Sequence, residues 1–379
     1  MAAKNIFSRA SAEKSVFLDE RLLYPEFIPE RLPHREKHIE ALAYCFEPLL
    51  KGRKPFNLFI AGPTGVGKTV CAKYVLRQLE EYSDRAKSIY LNCFEFNSRS
   101  SVLSSIANFV GAALPRRGLA VDEIFSKLLE SLKKCGFTPI VVLDEVDQLL
   151  LSENSQKILY DLLRVVEYEK QRIGIAMISN EAALTARLDP RVRSSMAEQT
   201  ILFEPYTPQQ LKGILAERAE LAFVKGALEK DVLNVAAAHA AKLGGDARIA
   251  LESLLKAGRL AEKENSGTVS LKHLEQAFSS VDSASLLKGF KHLGKDEKAL
   301  LKIIAENPSI HAGKIYEFYR SSDSGELKER RLRDVLIKLE KQNFISFEYV
   351  SLGNKGKTKI FSSRIPKEFL IKELAKEGA

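Results

Sequence analysis

The chain has 379 residues, 58 Lys and Arg against 49 Asp and Glu, and a formal net charge of +9. That length is too great for one ordinary core and points to two or three domains. With 45% hydrophobic and 28% charged residues, and no apolar run near the ~18 residues a membrane span needs, the composition excludes a disordered or membrane-spanning chain. The opening MAAKNIFSRASAEKSVF is basic but lacks the apolar stretch of about 7–15 residues of a secretory leader, so a cytoplasmic location is expected. Cys45, Cys71, Cys93 and Cys135 form neither a CxxC pair nor a zinc-like spacing with His, so they read as reduced, mostly buried thiols.

In chain order, three prolines in YPEFIPERLPHRE interrupt any helix before apolar residues return at helical spacing over 39–50. Short β-rich runs then alternate with helical ones. Strands are predicted at 56–62, 87–93, 138–147, 172–180 and 199–203, with helices at 68–82 and 155–170 and a long helical insert ending near 135. Strands separated by helices predict a parallel sheet covered on both faces. Beyond 203 the pattern turns wholly helical, over 207–223, 230–243, 248–264 and 270–280. A third pattern follows: helices at 295–307, 311–320 and 326–342, then strands at 344–352 and 359–363 around the turn GNKGKT, the order of a winged helix. The fold class is therefore α/β at the start, with three domains expected at 1–204, 205–283 and 284–379.

AGPTGVGKT follows a predicted strand and opens a predicted helix, the context that a phosphate-binding loop requires. Gly62, Pro63, Thr64, Gly65, Val66 and Gly67 form the loop, whose N–H groups face phosphate oxygens. Lys68 supplies a point charge to the β and γ phosphates, and the Thr69 hydroxyl a ligand for Mg²⁺. The apolar strand IVVLDE ends in Asp144, a hard oxygen donor for Mg²⁺, and Glu145, placed as general base toward water. Asn180 tips another strand at the same edge and is expected to hold the lytic water or the γ phosphate. Arginine is needed for the charge that develops in transfer, and two segments offer it: Arg191 in LDPRVRSS and Arg248 in GGDAR. ATP or ADP with Mg²⁺ is the cofactor set this implies.

Of the +9, a net of +6 lies in residues 281–379, with 20 Lys and Arg against 14 Asp and Glu, which suggests an anionic partner for that region. Within 326–342, Leu332, Val335, Leu336 and Leu339 share one helical stripe, leaving Lys328, Arg330, Arg331, Arg333, Lys338 and Lys341 for phosphates or guanine edges in a major groove. Lys355, Lys357 and Lys359 make the hairpin a basic wing suited to a backbone or minor groove. The alternative is a solvated face on which Glu329, Asp334 and Glu340 pair with these bases.

Taken together, these motifs resemble the AAA+ ATPases, and the amino-terminal LPHRE, GGDARIAL and the winged helix extend the resemblance to the archaeal origin-recognition and replication-initiator family, related to eukaryotic origin recognition complex subunits. The resemblance implies a AAA+ base domain, a helical lid and a winged helix. It further implies that Leu32, Pro33, His34 and Arg35 line the adenine pocket, and that the insert carries Arg116 and Arg117 to the DNA backbone. The function so implied is an ATP-regulated initiator that binds origin duplex DNA, hydrolyses ATP slowly as a switch and helps load the replicative helicase. Its partners would be origins, the helicase and further initiator copies, at the nucleoid. A nucleotide-bound DNA-binding regulator without turnover, and a clamp-loader-like subunit, are the competing readings.

Overall fold

The computed structural model describes residues 15–115, 118–151, 153–167, 172–184, 193, 199–290, 293–322, 327–341, 344–351, 357–365, 367 and 370. Arg116, Arg117, Arg191 and Lys355 lie outside them. The chain divides into two compact units, residues 1–271 and 272–379.

The first unit holds a five-stranded sheet: β1 (Leu58–Ala61), β2 (Ala86–Asn92), β3 (Thr138–Asp144), β4 (Gly174–Ser179) and β5 (Gln199–Leu202), in the order β2-β3-β4-β1-β5. Every pairing is parallel. All residues of β1 and β4 are buried, which is why these strands read as unbroken apolar runs rather than alternating ones. Alternation appears instead in which core each residue enters. Phe59, Ala61, Val141, Leu143, Ile175 and Met177 join α3 (Arg99–Phe109), α4 (Val121–Lys134) and α5 (Glu153–Glu167) in one core. Leu58, Ile60, Ile140, Val142, Ala176 and Ile178 join α1 (Glu36–Leu50) and α2 (Lys68–Tyr82) in the other. A period of two sends neighbouring residues to opposite faces, so one sheet organises two cores.

The single helical insert predicted after the second strand is two helices, α3 and α4. Ser98 caps α3, its hydroxyl accepting from Ser101 N–H. Asp122 and Glu123 lie in the first turn of α4 and Lys133 and Lys134 in the last, as the helix dipole favours. Arg99 and Asp161 form an ion pair that ties α3 to α5, with Arg99 Nη2 donating to Oδ1 at 3.0 Å.

Three helices follow the sheet: α6 (Pro208–Ala222), α7 (Val232–Lys242) and α8 (Ala247–Lys263). Thr207 caps α6 in a reciprocal capping box with Gln210, and Asp246 caps α8. The amino-terminal segment is bound to these helices. Leu18 N–H donates to Ala222 O at 2.8 Å, and the Phe17 ring lies 4.7 Å from that of Phe223.

The second unit opens with α9 (Leu271–Phe290) and contains α10 (Lys295–Glu306), α11 (Ala312–Arg320), α12 (Glu329–Lys341) and an antiparallel sheet of β6 (Ile310–His311), β7 (Ile345–Ser351) and β8 (Lys357–Ser363). The sheet order is β6-β8-β7, so the hairpin read from sequence carries a third, two-residue strand. Leu332, Val335, Leu336 and Leu339 are buried in its core, as their helical spacing requires. Among the described residues no helix is long and apolar enough to cross a membrane.

Candidate nucleotide site and basic face

Strand register sets the site. Asn92 pairs with Asp144, Asp144 with Ile178, and Ala61 with Ser179, so four neighbouring strands end level at their carboxyl edge. Ligands bind at that edge in open parallel sheets. From it the loop Gly62–Gly67 rises, with φ at +152°, +69° and +92° for Gly62, Gly65 and Gly67. Val66, fully buried, anchors the loop in the core, while Pro63 and Thr64 are exposed. Gly67 is the left-handed cap of α2, whose first turn carries no acid, so the helix presents a bare positive end.

The Lys68 ammonium spends its three protons on oxygens of this edge: Gly62 O at 2.7 Å, Pro63 O at 2.6 Å and Asn180 Oδ1 at 3.0 Å. Burial pushes its pKa down to about 8, against the pull of Asp144. A desolvated cation beside a helix amino terminus is a site for an anion, and glycine at 65 and 67 puts no side chain of the loop itself between its backbone N–H groups and one. The residues present thus fit a polyphosphate. Thr69 Oγ1 donates to Asp144 Oδ2 at 2.8 Å, and Asp144 Oδ1 accepts from Glu145 N–H at 2.9 Å. Burial raises the Asp144 pKa, opposed by these hydrogen bonds. The hydroxyl and carboxylate already share one locus, a fit for a hard divalent cation.

Glu145 sits at φ +57°, a conformation unusual for a residue with a side chain. Burial, Asp144 and Asp147 raise its pKa; Arg248 and a side-chain hydrogen bond with Asn92 lower it. Asn92 is thus part of the site, and sequence reasoning missed it. Its signal was available: it is the polar residue ending the strand next to β3. Asp147 is the second omission, accepting at Oδ1 from Ser179 Oγ (3.1 Å) and Asn180 N–H (3.3 Å).

The helical part of the unit meets the loop directly. Ala247 N–H donates to Gly65 O at 3.0 Å, and a Cβ on Gly67 would lie 2.7 Å from the Tyr206 hydroxyl. Asp246 caps Arg248 N–H at 2.8 Å and grips its guanidinium through Oδ2 at 2.8 Å and Oδ1 at 3.2 Å. The Arg248 side chain is about half exposed, and Asp246, Glu145 and Glu252 together leave its pKa raised. Of the two arginines read from sequence, Arg248 is therefore at the site.

Of the amino-terminal quartet, Arg35 is buried, 3% exposed, and donates through Nη2 to Glu204 O at 2.8 Å, with its guanidinium 3.9 Å from the Tyr206 ring centre. Its Nε is buried with no acceptor. His34 adopts φ +64° and sets Nε2 against Gly213 of α6, where a Cβ would lie 2.7 Å away. Leu32 packs on the α1–α2 side of the sheet, and Pro33 is half-buried.

In the second unit Arg330, Arg331 and Arg333 are exposed along α12, and Lys328 is exposed just before it. Lys338 is engaged, 2.7 Å from Glu297, and Glu329 pairs with Arg320 at 3.2 Å. Lys359 lies 3.8 Å over the Phe347 ring, so its ammonium covers the sheet face at the root of the wing. Lys357 begins β8.

A parallel sheet in this order, a glycine loop with its lysine, two acids on β3, a polar tip on β4 and a helical lid that delivers an arginine define a AAA+ ATPase with a carboxyl-terminal winged helix. Residues 53–187 match the profile of the AAA domain, and residues 212–279 that of the Cdc6 AAA+ ATPase-type lid domain. The chain is 36% identical over 372 residues to the ORC1-type DNA replication protein of Pyrococcus abyssi, spanning 93% of this chain and 88% of that protein. It is 34% identical to ORC1-type DNA replication protein 1 of Archaeoglobus fulgidus, over 98% and 94% of the two chains. Among solved structures it is similar to the Aeropyrum pernix ORC1 protein in complex with DNA, with a TM-score of 0.74, 32% identity and coverage of 97% and 98%. The chain belongs to the ORC1-type DNA replication protein family, the initiator family that its motifs resemble.

Proposed function

We propose that this chain is an ATP-regulated replication initiator that binds duplex DNA at origins, turns ATP over slowly as a switch, and assists helicase loading with further copies of itself. The observation that carries the reading is the contact between lid and loop. Ala247 N–H binds Gly65 O, and Arg248 stands in the field of Glu145. Whatever changes the charge held at the loop therefore changes what holds the lid, which is how nucleotide state becomes domain position.

In this reading Gly62–Gly67 and Lys68 bind the phosphates, and Arg248 neutralises charge that develops on the γ phosphate. Glu145, held by Asn92, takes a proton from the attacking water, and Asn180 orients that water. Thr69 and Asp144 would hold Mg²⁺, which would neutralise charge on the phosphates. Leu32, Pro33, His34 and Arg35 border the base. Arg330, Arg331 and Arg333 on α12, with Lys328 and the wing lysines Lys355, Lys357 and Lys359, face the DNA; Arg116 and Arg117 of the insert add backbone contacts, and Arg191 is offered to a neighbouring copy. The units of function are 1–204, 205–283 and 284–379, and the place of action is the nucleoid in the cytoplasm. The similarity to an ORC1 protein in complex with DNA supports the duplex as ligand.

The test is duplex binding by the purified chain with ATP and with ADP, beside Glu145→Gln. Binding that differs between nucleotides, and that Glu145→Gln locks in its ATP form, is expected. Identical binding in all three conditions would overturn the switch, and no binding would overturn the initiator assignment.

A further inference from the structure

Asp147 lies at the start of a short 3-10 helix, Val146–Leu151, just past the two acids of β3. Its Oδ1 accepts two hydrogen bonds from the tip of β4, from Ser179 Oγ at 3.1 Å and from Asn180 N–H at 3.3 Å. A carboxylate only accepts, so the Ser179 proton goes to Asp147 and a lone pair of Oγ is left for Glu181 N–H, at 3.0 Å. One oxygen thus fixes three successive residues, Ser179, Asn180 and Glu181. On the far side of that turn, Asn180 Oδ1 meets Lys68 Nζ at 3.0 Å.

We propose that Asp147 is a positioning residue for ATP hydrolysis, bracing the turn after β4 so that the Asn180 amide stands beside Lys68 at the γ-phosphate position. The inference rests on the hydrolytic reading of the site given above. Asp147 meets neither nucleotide nor water in this role. It acts through Asn180, and the consequence is a specific coupling between the two.

Steady-state ATPase assays and nucleotide titration on the full chain test it. Asp147→Leu removes both acceptors while keeping the branch at Cγ, and loss of alignment by about an ångström lowers kcat roughly 10- to 100-fold. ATP affinity stays within about threefold, because the glycine loop is untouched. Asp147→Asn keeps an oxygen in place of Oδ1 and restores kcat to within about threefold of wild type. In an Asn180→Ala background Asp147→Leu has no further effect beyond about twofold, since the amide it aims is gone. Ser179→Ala, the gentler variant should Asp147→Leu fold poorly, lowers kcat about threefold, again only when Asn180 is present.

Full additivity of Asp147→Leu or Ser179→Ala with Asn180→Ala, or equal damage by Asp147→Asn and Asp147→Leu, overturns the proposal. If Asn180→Ala is slow while Asp147→Leu matches wild type, the inference fails alone. If Asn180→Ala matches wild type, the hydrolytic role of Asn180 fails and the inference falls with it.

Discussion

A Cβ built on Gly65 would stand 1.7 Å from Oδ1 of Asp246, the residue that caps the lid helix and holds Arg248. Phosphate loop and lid are therefore in contact at a position where only glycine fits, and its φ of +69° adds a second reason. Gly65→Ala is expected to weaken ATP binding about tenfold or more, from a backbone cost of roughly 1–3 kcal/mol on top of the collision. Adding Asp246→Ala removes the collision and leaves the backbone cost, so the double variant recovers only part of the affinity. Titration with a fluorescent adenine nucleotide reads both.

Arg218 bears on the amino-terminal segment. It is 8% exposed, donates to Leu22 O at 2.9 Å and Phe27 O at 3.1 Å, and lies 4.8 Å over the Phe27 ring. Burial lowers its pKa to about 10, a cost that the two carbonyls and the ring offset. Arg218→Ala leaves two carbonyls without a donor and is expected to lower stability by about 1–3 kcal/mol. Denaturant unfolding measures the loss. Limited proteolysis should show new cleavage within residues 15–28, while Glu20→Ala, which breaks the more exposed pair with Arg259, has a smaller effect.

Burial raises the thiol of Cys45 to about 11 and those of Cys71 and Cys93 to about 12. At pH 8 a thiol of pKa about 12 is thiolate in only about one molecule in ten thousand. Native protein should therefore react with a disulfide reagent at half-buried Cys135 alone, and unfolded protein at all four. Since the folded values exceed the unfolded value of 9.0, these groups contribute stability below pH 9 that is lost as pH rises toward 12. Changing Cys71 to Ala should flatten that alkaline decline. Labelling at the other three in the native state would refute the assignment.

The nucleotide site was legible because chemistry and local context coincide there: strand, glycine loop, lysine and helix are contiguous, and Asp144 and Asn180 end apolar strands. Asn92 and Asp147 were illegible because their partners are remote. Asn92 reaches Glu145 only through the β2–β3 register, and Asp147 reaches Asn180 only because β3 and β4 are neighbours. The docking of residues 15–28 on the lid helices was hidden for the same reason, since Arg218 reads as an ordinary surface helix residue until its carbonyl partners are in place. Strand β6 was lost to its length of two residues, too short for any periodicity.

On α12 the bases that read alike in sequence are not equivalent. Arg330, Arg331, Arg333 and Lys338 are all exposed, but Lys338 is paired with Glu297 at 2.7 Å. Each phosphate contact contributes a slope of about −0.9 to log affinity against log salt. Changing Arg330, Arg331 and Arg333 together to Ala should weaken duplex binding and make the slope shallower by up to about 2.7 units. Lys338→Ala should leave the slope unchanged, and its cost should appear instead in thermal stability, because Glu297, 8% exposed, is left without that partner. Fluorescence anisotropy across a salt series separates the two, and a slope change for Lys338→Ala equal to that for one of the arginines would show that the Glu297 pair opens on DNA.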